Sequence, residues 1–339
     1  MSRRRVMVGL GALISLVFLW LALRGQDWLE IVRAFRQADY RWLIPASLLI
    51  LADYGFRAWR WGVILRPATK QRLPLRILFP VLLLGFAANN VLPARAGEVW
   101  RMWGMAHRTP VRKTVVLSTL VVERVFDGFT LLFLLAVAGL VHPLTSEARM
   151  IEYGLTALFV LVFLGLLLFL FFEEWTIRIA TRLMWPIPKD LRERLLDVLS
   201  RFAEGLHTLR QPQALARIIG SSLLAWGSQG LSYGAILIAF GLALPPAELF
   251  TVSILMLALI NLLILIPAAP GNVGTYEAGG LLALSVAGIL TGRAELATAI
   301  ILVTHVLQWL LVTALGLLIA AQEGLTLAGL STGPELTEG

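Results

Sequence analysis

The chain has 339 residues, 58% of them hydrophobic and only 15% charged, with a mean hydropathy of +0.81. That composition excludes an ordinary soluble domain and points to helices that span lipid. The formal net charge of +8 needs no nucleic acid to explain it, because Lys and Arg gather in particular loops, and the absence of Cys excludes disulfides and thiolate metal sites.

In chain order, Met1-Ser2-Arg3-Arg4-Arg5 precedes an apolar stretch at about 6–23. This is too long for a signal-peptide core, and Leu21-Ala22-Leu23-Arg24 offers no small-x-small cleavage site, so a retained span with a cytoplasmic N-terminus is expected. A second span, 42–64, runs into Arg66, Lys70, Arg72 and Arg76, a basic cluster without acids. A hydrophobic hairpin at about 73–106 follows, broken near Leu92-Pro93. Spans are then expected at 114–140 and 151–172. The mixed-charge connector 173–212 keeps Leu191, Leu195, Leu199, Phe202, Leu206 and Leu209 at helical spacing, which predicts an amphipathic helix on the cytoplasmic membrane surface. A span at 215–241, a second hairpin at 248–290 folded at Pro267–Gly274, and a last span at 295–320 complete the chain.

The expected fold is thus a single all-α polytopic transmembrane domain over 1–339, with about six full spans and two broken or re-entrant hairpins, up to eight or more hydrophobic helices. The span–hairpin–span order occurs at 42–140 and again at 215–320, with opposite orientation by the charge rule, which makes an inverted repeat with both termini cytoplasmic. Lipid cannot satisfy the backbone groups that a broken helix exposes, so such breaks survive at membrane depth only where protein buries them or a watery cavity solvates them. Matched breaks in two halves point to a transport site.

Charged groups inside spans mark function or tight pairing. Asp53, Arg57 and Arg60 share one face of the second span, and Glu123, Arg124 and Asp127 cluster on the third. Asp127 lies about 20 Å along its helix, close to the bilayer centre. Both groups read either as ion pairs bracing the hairpins or as functional side chains. The first tip carries Asn89, Asn90, Arg95, Glu98 and Arg101 around Pro93, and Gly97 permits close backbone approach. Free N–H groups of a half-helix next to a guanidinium suit an anion, above all a phosphate. A cytoplasmic loop obeying the charge rule is the plain alternative, and it leaves Glu98 and the two Asn unexplained. The second tip carries Pro267, Pro270, Gly271, Asn272, Gly274, Tyr276 and Glu277, where Glu277 equally suits the dipole of a half-helix N-terminus. On the last span Thr304, His305 and Gln308 share a face, and a lone His there reads equally as a packed polar residue. Most Trp, including Trp28, Trp42, Trp59, Trp61, Trp100 and Trp103, suit an interfacial belt. No G-x-x-x-x-G-K-[ST], H-E-x-x-H or G-x-S-x-G occurs, so no nucleotide site, metal or other cofactor is expected.

Three pieces, Asn90-Val91-Leu92-Pro93-Ala94-Arg95-Ala96-Gly97-Glu98-Val99-Trp100-Arg101, Glu123-Arg124-Val125-Phe126-Asp127 and Pro270-Gly271-Asn272-Val273-Gly274-Thr275-Tyr276-Glu277, together resemble the membrane region of lysylphosphatidylglycerol synthases and their stand-alone, flippase-like relatives. In bifunctional members that region is thought to move an aminoacylated lipid between leaflets after a soluble domain has made it. No segment of soluble catalytic size is visible here, so the resemblance implies lipid handling rather than lysyl transfer, and a transporter rather than an enzyme. One position departs: the family commonly has Arg about where His305 stands. The resemblance implies a flippase-like protein of the inner or plasma membrane for a phospholipid, an aminoacylated lipid or a lipid-linked precursor. Arg95, Arg101 and Arg124 would hold the headgroup phosphate, and Glu98, Asp127 and Glu277 would tune the site or carry protons. Asn89, Asn90, Glu123, Asn272, Tyr276 and His305 complete the expected binding set. Expected partners are lipids with phosphate-containing headgroups and a lipid-synthesising enzyme, not nucleic acid. The alternatives are an ion-coupled secondary transporter of a small anion, an intramembrane enzyme or membrane partner of a lipid-modifying enzyme acting on polyprenyl-phosphate lipids, and a non-transporting scaffold.

Overall fold

The computed structural model describes residues 3–92, 96–141, 172–189, 211–289 and 292–323, with scattered positions between 149 and 196. Among the described residues the regular elements are all helical: α1 (Arg3–Leu23), α2 (Trp28–Gln37), α3 (Leu43–Thr69), α4 (Leu75–Val91), α5 (Gly97–Arg108), α6 (Lys113–Val141), α7 (Glu173–Leu183), α8 (Pro212–Ala239), α9 (Pro246–Leu263), α10 (Thr275–Ala287) and α11 (Ala294–Gln322). Short 3₁₀ turns at Tyr40–Trp42 and Pro270–Asn272 join them. The protein is therefore an α-helical polytopic membrane protein.

Three described stretches, Val115–Val141, Pro246–Leu263 and Ala294–Gln322, are both long and apolar enough to cross a bilayer. The Gly11–Leu23 part of α1 and α2 reach that standard only together, across a bend of 80°. The sequence does not announce α2 by apolar length. It is an amphipathic helix capped by Asp27, whose Oδ1 accepts the Leu29 N–H at 2.8 Å, and only Ile31 on it is buried. At 27 and 28 residues, α3 and α8 span roughly 40 Å at 1.5 Å per residue, so length is not what sets them apart. α3 instead carries Asp53, Arg57 and Arg60, all buried inside the protein. Most of the expected span 151–172 lies outside the described residues, as do Pro93, Arg95 and the connector positions Leu195, Leu199, Phe202, Leu206 and Leu209.

Helices α3 to α6 have 27, 17, 12 and 29 residues and α8 to α11 have 28, 18, 13 and 29, so one long–short–short–long order occurs twice. The packing follows the same exchange. α4 lies against α5 and α9 against α10, while α4 also packs on α11 and α9 on α6, so each hairpin is clasped by the last helix of the other set. α3 and α8 form the central pair. The Asp39 N–H donates to the Ala239 carbonyl at 2.7 Å, and Arg60 Nη1 donates to Ser222 Oγ at 2.9 Å, which sets the pair antiparallel. The α4–α5 hairpin follows the C-terminal end of α3, and the α9–α10 hairpin follows the opposite end of the pair.

The hairpins close because glycine leaves room. A Cβ on Gly97 would sit 1.9 Å from the Gly85 carbonyl, and one on Gly85 would meet Arg101 Cγ at 2.5 Å. The larger apolar cluster joins α8, α9, α10 and α11 to Leu134, Leu135 and Ala138 of α6. The second joins α3 and α4 to Val116 and Leu120 of α6 and Val312 of α11.

Candidate functional site

The two tips meet at the middle of the bundle. A polar cavity of about 220 Å³ opens between them, lined by Asp53, Tyr54 and Arg57 of α3, Arg124 of α6, Gln229 of α8, and His305, Gln308 and Trp309 of α11. All four long helices of the repeated sets therefore contribute residues from near their midpoints. Asn89, Asn90 and Glu98 of the first tip and Asn261, Gly271, Asn272 and Tyr276 of the second close much of the remaining wall, and Phe86, Trp226, Ile264 and Leu265 complete it with apolar surface.

Behind one wall lies a network of buried charge. Arg57 Nε donates to Asp53 Oδ1 at 2.7 Å, its Nη2 donates to Gln229 Oε1 at 3.2 Å, and its guanidinium lies 4.2 Å from the Trp226 ring centroid. Asp127 Oδ1 accepts from Arg60 Nη2 at 2.8 Å, Trp226 Nε1 at 3.0 Å and Arg57 Nη1 at 3.4 Å. Arg101 grips Glu123 through both terminal nitrogens, at 3.1 and 2.7 Å, and lies over Trp61 at 4.2 Å. A charge taken out of water is stable only when paired in this way. Four arginines, Arg57, Arg60, Arg101 and Arg124, face three carboxylates, Asp53, Glu123 and Asp127. Arg124 is the least engaged: its side chain is 51% exposed, and its closest carboxylate oxygens are 3.6 and 3.9 Å away.

The first tip is built by Asn89 and Asn90. Asn89 Oδ1 accepts the Gly97 N–H at 2.8 Å and so caps the start of α5, while Asn90 Nδ2 donates to Thr313 Oγ1 at 3.0 Å on α11. At the second tip, prolines 267 and 270 withhold backbone donors, and positive φ at Gly271 (74°), Asn272 (57°) and Gly274 (89°) turns the chain. α1 buttresses it: the Ala269 N–H donates to Ser15 Oγ at 2.7 Å, and a Cβ on Gly274 would lie 2.4 Å from the Ser15 carbonyl. Glu277 Oε2 accepts the Gly274 N–H at 2.6 Å, and Oε1 lies 2.6 Å from His305 Nδ1. His305 Nε2 donates to the Gly271 carbonyl at 2.8 Å, and its ring stacks on Tyr276 at 4.1 Å. The Tyr276 and Tyr233 hydroxyls are 2.9 Å apart, and Gln308 Oε1 accepts from Tyr276 at 3.2 Å.

Of the expected binding residues, Asn89, Asn90, Glu98, Arg124, Asn272, Tyr276 and His305 line this cavity. Arg101, Glu123 and Asp127 stand behind it in the ion-pair network, and Glu277 reaches it through His305. The expected set omitted Asp53, Tyr54, Arg57, Gln229, Tyr233 and Asn261. For Asp53 and Arg57 on α3 and for Gln229 and Tyr233 on α8 the signal was present as polar side chains at i, i+4, which is face-sharing spacing inside otherwise apolar helices. Among the described residues no three His, Asp or Glu side chains come together as a metal would require.

The family model of the lysylphosphatidylglycerol synthase TM region matches residues 8–316. The chain belongs to this family. It is 29% identical over 303 residues to a UPF0104 membrane protein of Methanothermobacter thermautotrophicus, with 85% of each chain covered, and 25% identical to a second such protein of that organism over 302 residues. It is also 25% identical over 323 residues to the Glycosyltransferase AglD of Haloferax volcanii, and this match takes in 88% of the chain but 52% of the relative. The chain thus spans about half the length of that protein. No solved structure matches it.

Proposed function

We propose that this family member moves a lipid with a phosphate-bearing headgroup across the bilayer, the headgroup passing through the cavity between the hairpin tips. The observation that carries the reading is Arg124, a charged side chain half-exposed and lining the cavity at mid-length of the long helices, where a charge without function would be costly. Asn89, Asn90, Gln229 and Gln308 supply neutral donors and acceptors around it. In this reading α1, α3, α6, α8 and α11 cross the membrane, and the two hairpins enter it from opposite faces as an inverted repeat, whether each turns back at its tip or crosses twice. The recurring helix lengths and the antiparallel central pair support that topology. The basic junction of α3 and α4, from Arg66 to Arg76, supports a cytoplasmic placement for both termini in an inner or plasma membrane.

The test is reconstitution in liposomes with a fluorescent anionic phospholipid and chemical bleaching of the outer leaflet. A charge-assisted hydrogen bond contributes about 1.5–3 kcal/mol, so Arg124→Ala is expected to slow exchange by roughly tenfold or more. Equal exchange by wild type and Arg124→Ala sinks the proposal. The name of the Haloferax volcanii relative favours a second reading, in which the chain presents lipid to an enzyme that modifies it. Product formation from a lipid acceptor only when the chain is combined with such an enzyme, without any leaflet exchange, would establish that reading instead.

A further inference from the structure

The buried contact between the second tip and α11 carries a proton count that its hydrogen bonds decide. His305 Nε2 faces the Gly271 carbonyl at 2.8 Å. A carbonyl only accepts, so the hydrogen belongs to Nε2. A neutral imidazole then has a bare lone pair on Nδ1, yet Nδ1 lies 2.6 Å from Glu277 Oε1. Two lone pairs at that distance repel, and one proton must lie between them, on nitrogen or on oxygen. The other carboxyl oxygen accepts the Gly274 N–H at 2.6 Å, which fixes the carboxyl group with Oε1 toward the imidazole. Stacking on Tyr276, with the rings 9° from parallel, holds the imidazole in this orientation.

We infer that Glu277 and His305 together bind one transferable proton, and that its binding and release couple lipid movement to a proton gradient. The proton count stands on geometry alone, whereas the coupling rests on the transport reading above. With the proton in place the pair is neutral overall. When the proton leaves from between Nδ1 and Oε1, it passes to water or buffer. A carboxylate then remains beside a neutral imidazole that still donates from Nε2 to Gly271. The Glu277–His305 hydrogen bond between α10 and α11 is lost while that of Tyr276 to Gln308 stays, and the site gains one negative charge.

The surroundings set the sign of the coupling. Of the groups facing the pair, α10 itself supplies Tyr276, and α8 supplies Tyr233. α3 supplies Asp53, Tyr54 and Arg57, α5 supplies Glu98 and α6 supplies Arg124. Of the other elements packed there, α4 offers Asn89 and Asn90, α9 offers Asn261 and α1 offers Ser15, none of which titrates. The Glu30–Arg33 pair of α2 is exposed and pairs with itself. An anionic headgroup beside Arg124 therefore favours the protonated pair, and by reciprocity the protonated pair favours the headgroup, by on the order of tenfold. Proton and anionic lipid are expected to move in the same direction.

Two measurements test this. The first is nitrogen NMR of the full chain in lipid nanodiscs with labelled His. The chain has four His, and replacing His107, His142 and His207 by Gln leaves His305 alone, so assignment needs no change at the pair. A hydrogen on Nε2 and a proton-sharing Nδ1 that changes in Glu277→Gln are expected; an Nδ1 signal of a free lone pair, indifferent to Glu277→Gln, overturns the proton site. The second is the liposome exchange assay under an imposed pH gradient. Exchange of an anionic phospholipid in the direction of the proton gradient is expected to rise several-fold, and Glu277→Gln to abolish that response. Wild-type exchange indifferent to the gradient overturns the coupling while leaving the transport reading intact. No exchange under any gradient overturns the transport reading and the coupling with it, and the NMR result still decides the proton site by itself.

Discussion

The Arg101–Glu123 pair makes the sharpest energetic prediction. Both side chains are nearly inaccessible, at 4% and 0% exposure, and they share two hydrogen bonds. Removing one partner of a buried pair costs about 3–5 kcal/mol, because it strands the other. The two removals differ here. Without Arg101, Glu123 keeps Arg60 Nη2 at 3.8 Å and Arg124 Nη2 at 3.9 Å, so Arg101→Met belongs near the lower end, about 3 kcal/mol. Without Glu123, Arg101 keeps the Trp61 face at 4.2 Å, and its Nε already makes no hydrogen bond among the described residues. Glu123→Leu therefore belongs near the upper end, about 5 kcal/mol. The double variant replaces the pair by apolar side chains and is expected to cost about 1 kcal/mol or less. Reversible unfolding in mixed micelles, followed by Trp fluorescence, reads all three. Costs that add, leaving the double variant worse than either single one, would refute the assignment of this pair to the scaffold.

Gly97→Ala drives a Cβ to within 1.9 Å of the Gly85 carbonyl, backbone that cannot swing aside, so a loss of about 1–3 kcal/mol in the same unfolding measurement is expected. Gly274→Ala combines φ of 89° with a 2.4 Å approach to the Ser15 carbonyl. It is expected to loosen α1 from the second tip, read as faster proteolysis between α1 and α2. Because the chain has no Cys, Asn90→Cys with Thr313→Cys can be oxidised without competing thiols. These side chains already meet at 3.0 Å, so rapid disulfide formation is expected, with lipid exchange arrested until a reductant is added.

The breaks were legible because they rest on local chemistry. Pro267, Pro270 and Gly271 cannot continue a helix whatever surrounds them, and Gly97 announces a close approach before its neighbour is known. The long helices were legible to within a few residues, as in 114–140 against Lys113–Val141. Partnership was not. Arg57 and Asp127 are 70 positions apart, and Arg57 and Gln229 are 172 apart, so which carboxylate neutralises which guanidinium is fixed by tertiary packing. Glu277 illustrates the same limit. Its place in the first turn of α10 was readable, and it does accept the Gly274 N–H there, but its second oxygen meets a histidine 28 residues away. α2 escaped notice because ten residues with one buried side chain leave too faint an apolar signature.

One helix moors both tips. Thr313 holds Asn90 of the first, His305 holds Gly271 and Glu277 of the second, and both anchors sit eight residues apart on α11. At 1.5 Å per residue the anchors are about 12 Å apart along a single rigid rod. A slide or roll of that rod tugs on both moorings at once, so neither tip can be cast loose without the other feeling it. In the proposed transport, passage between the two faces of the bundle would thereby be tied to one mechanical spindle.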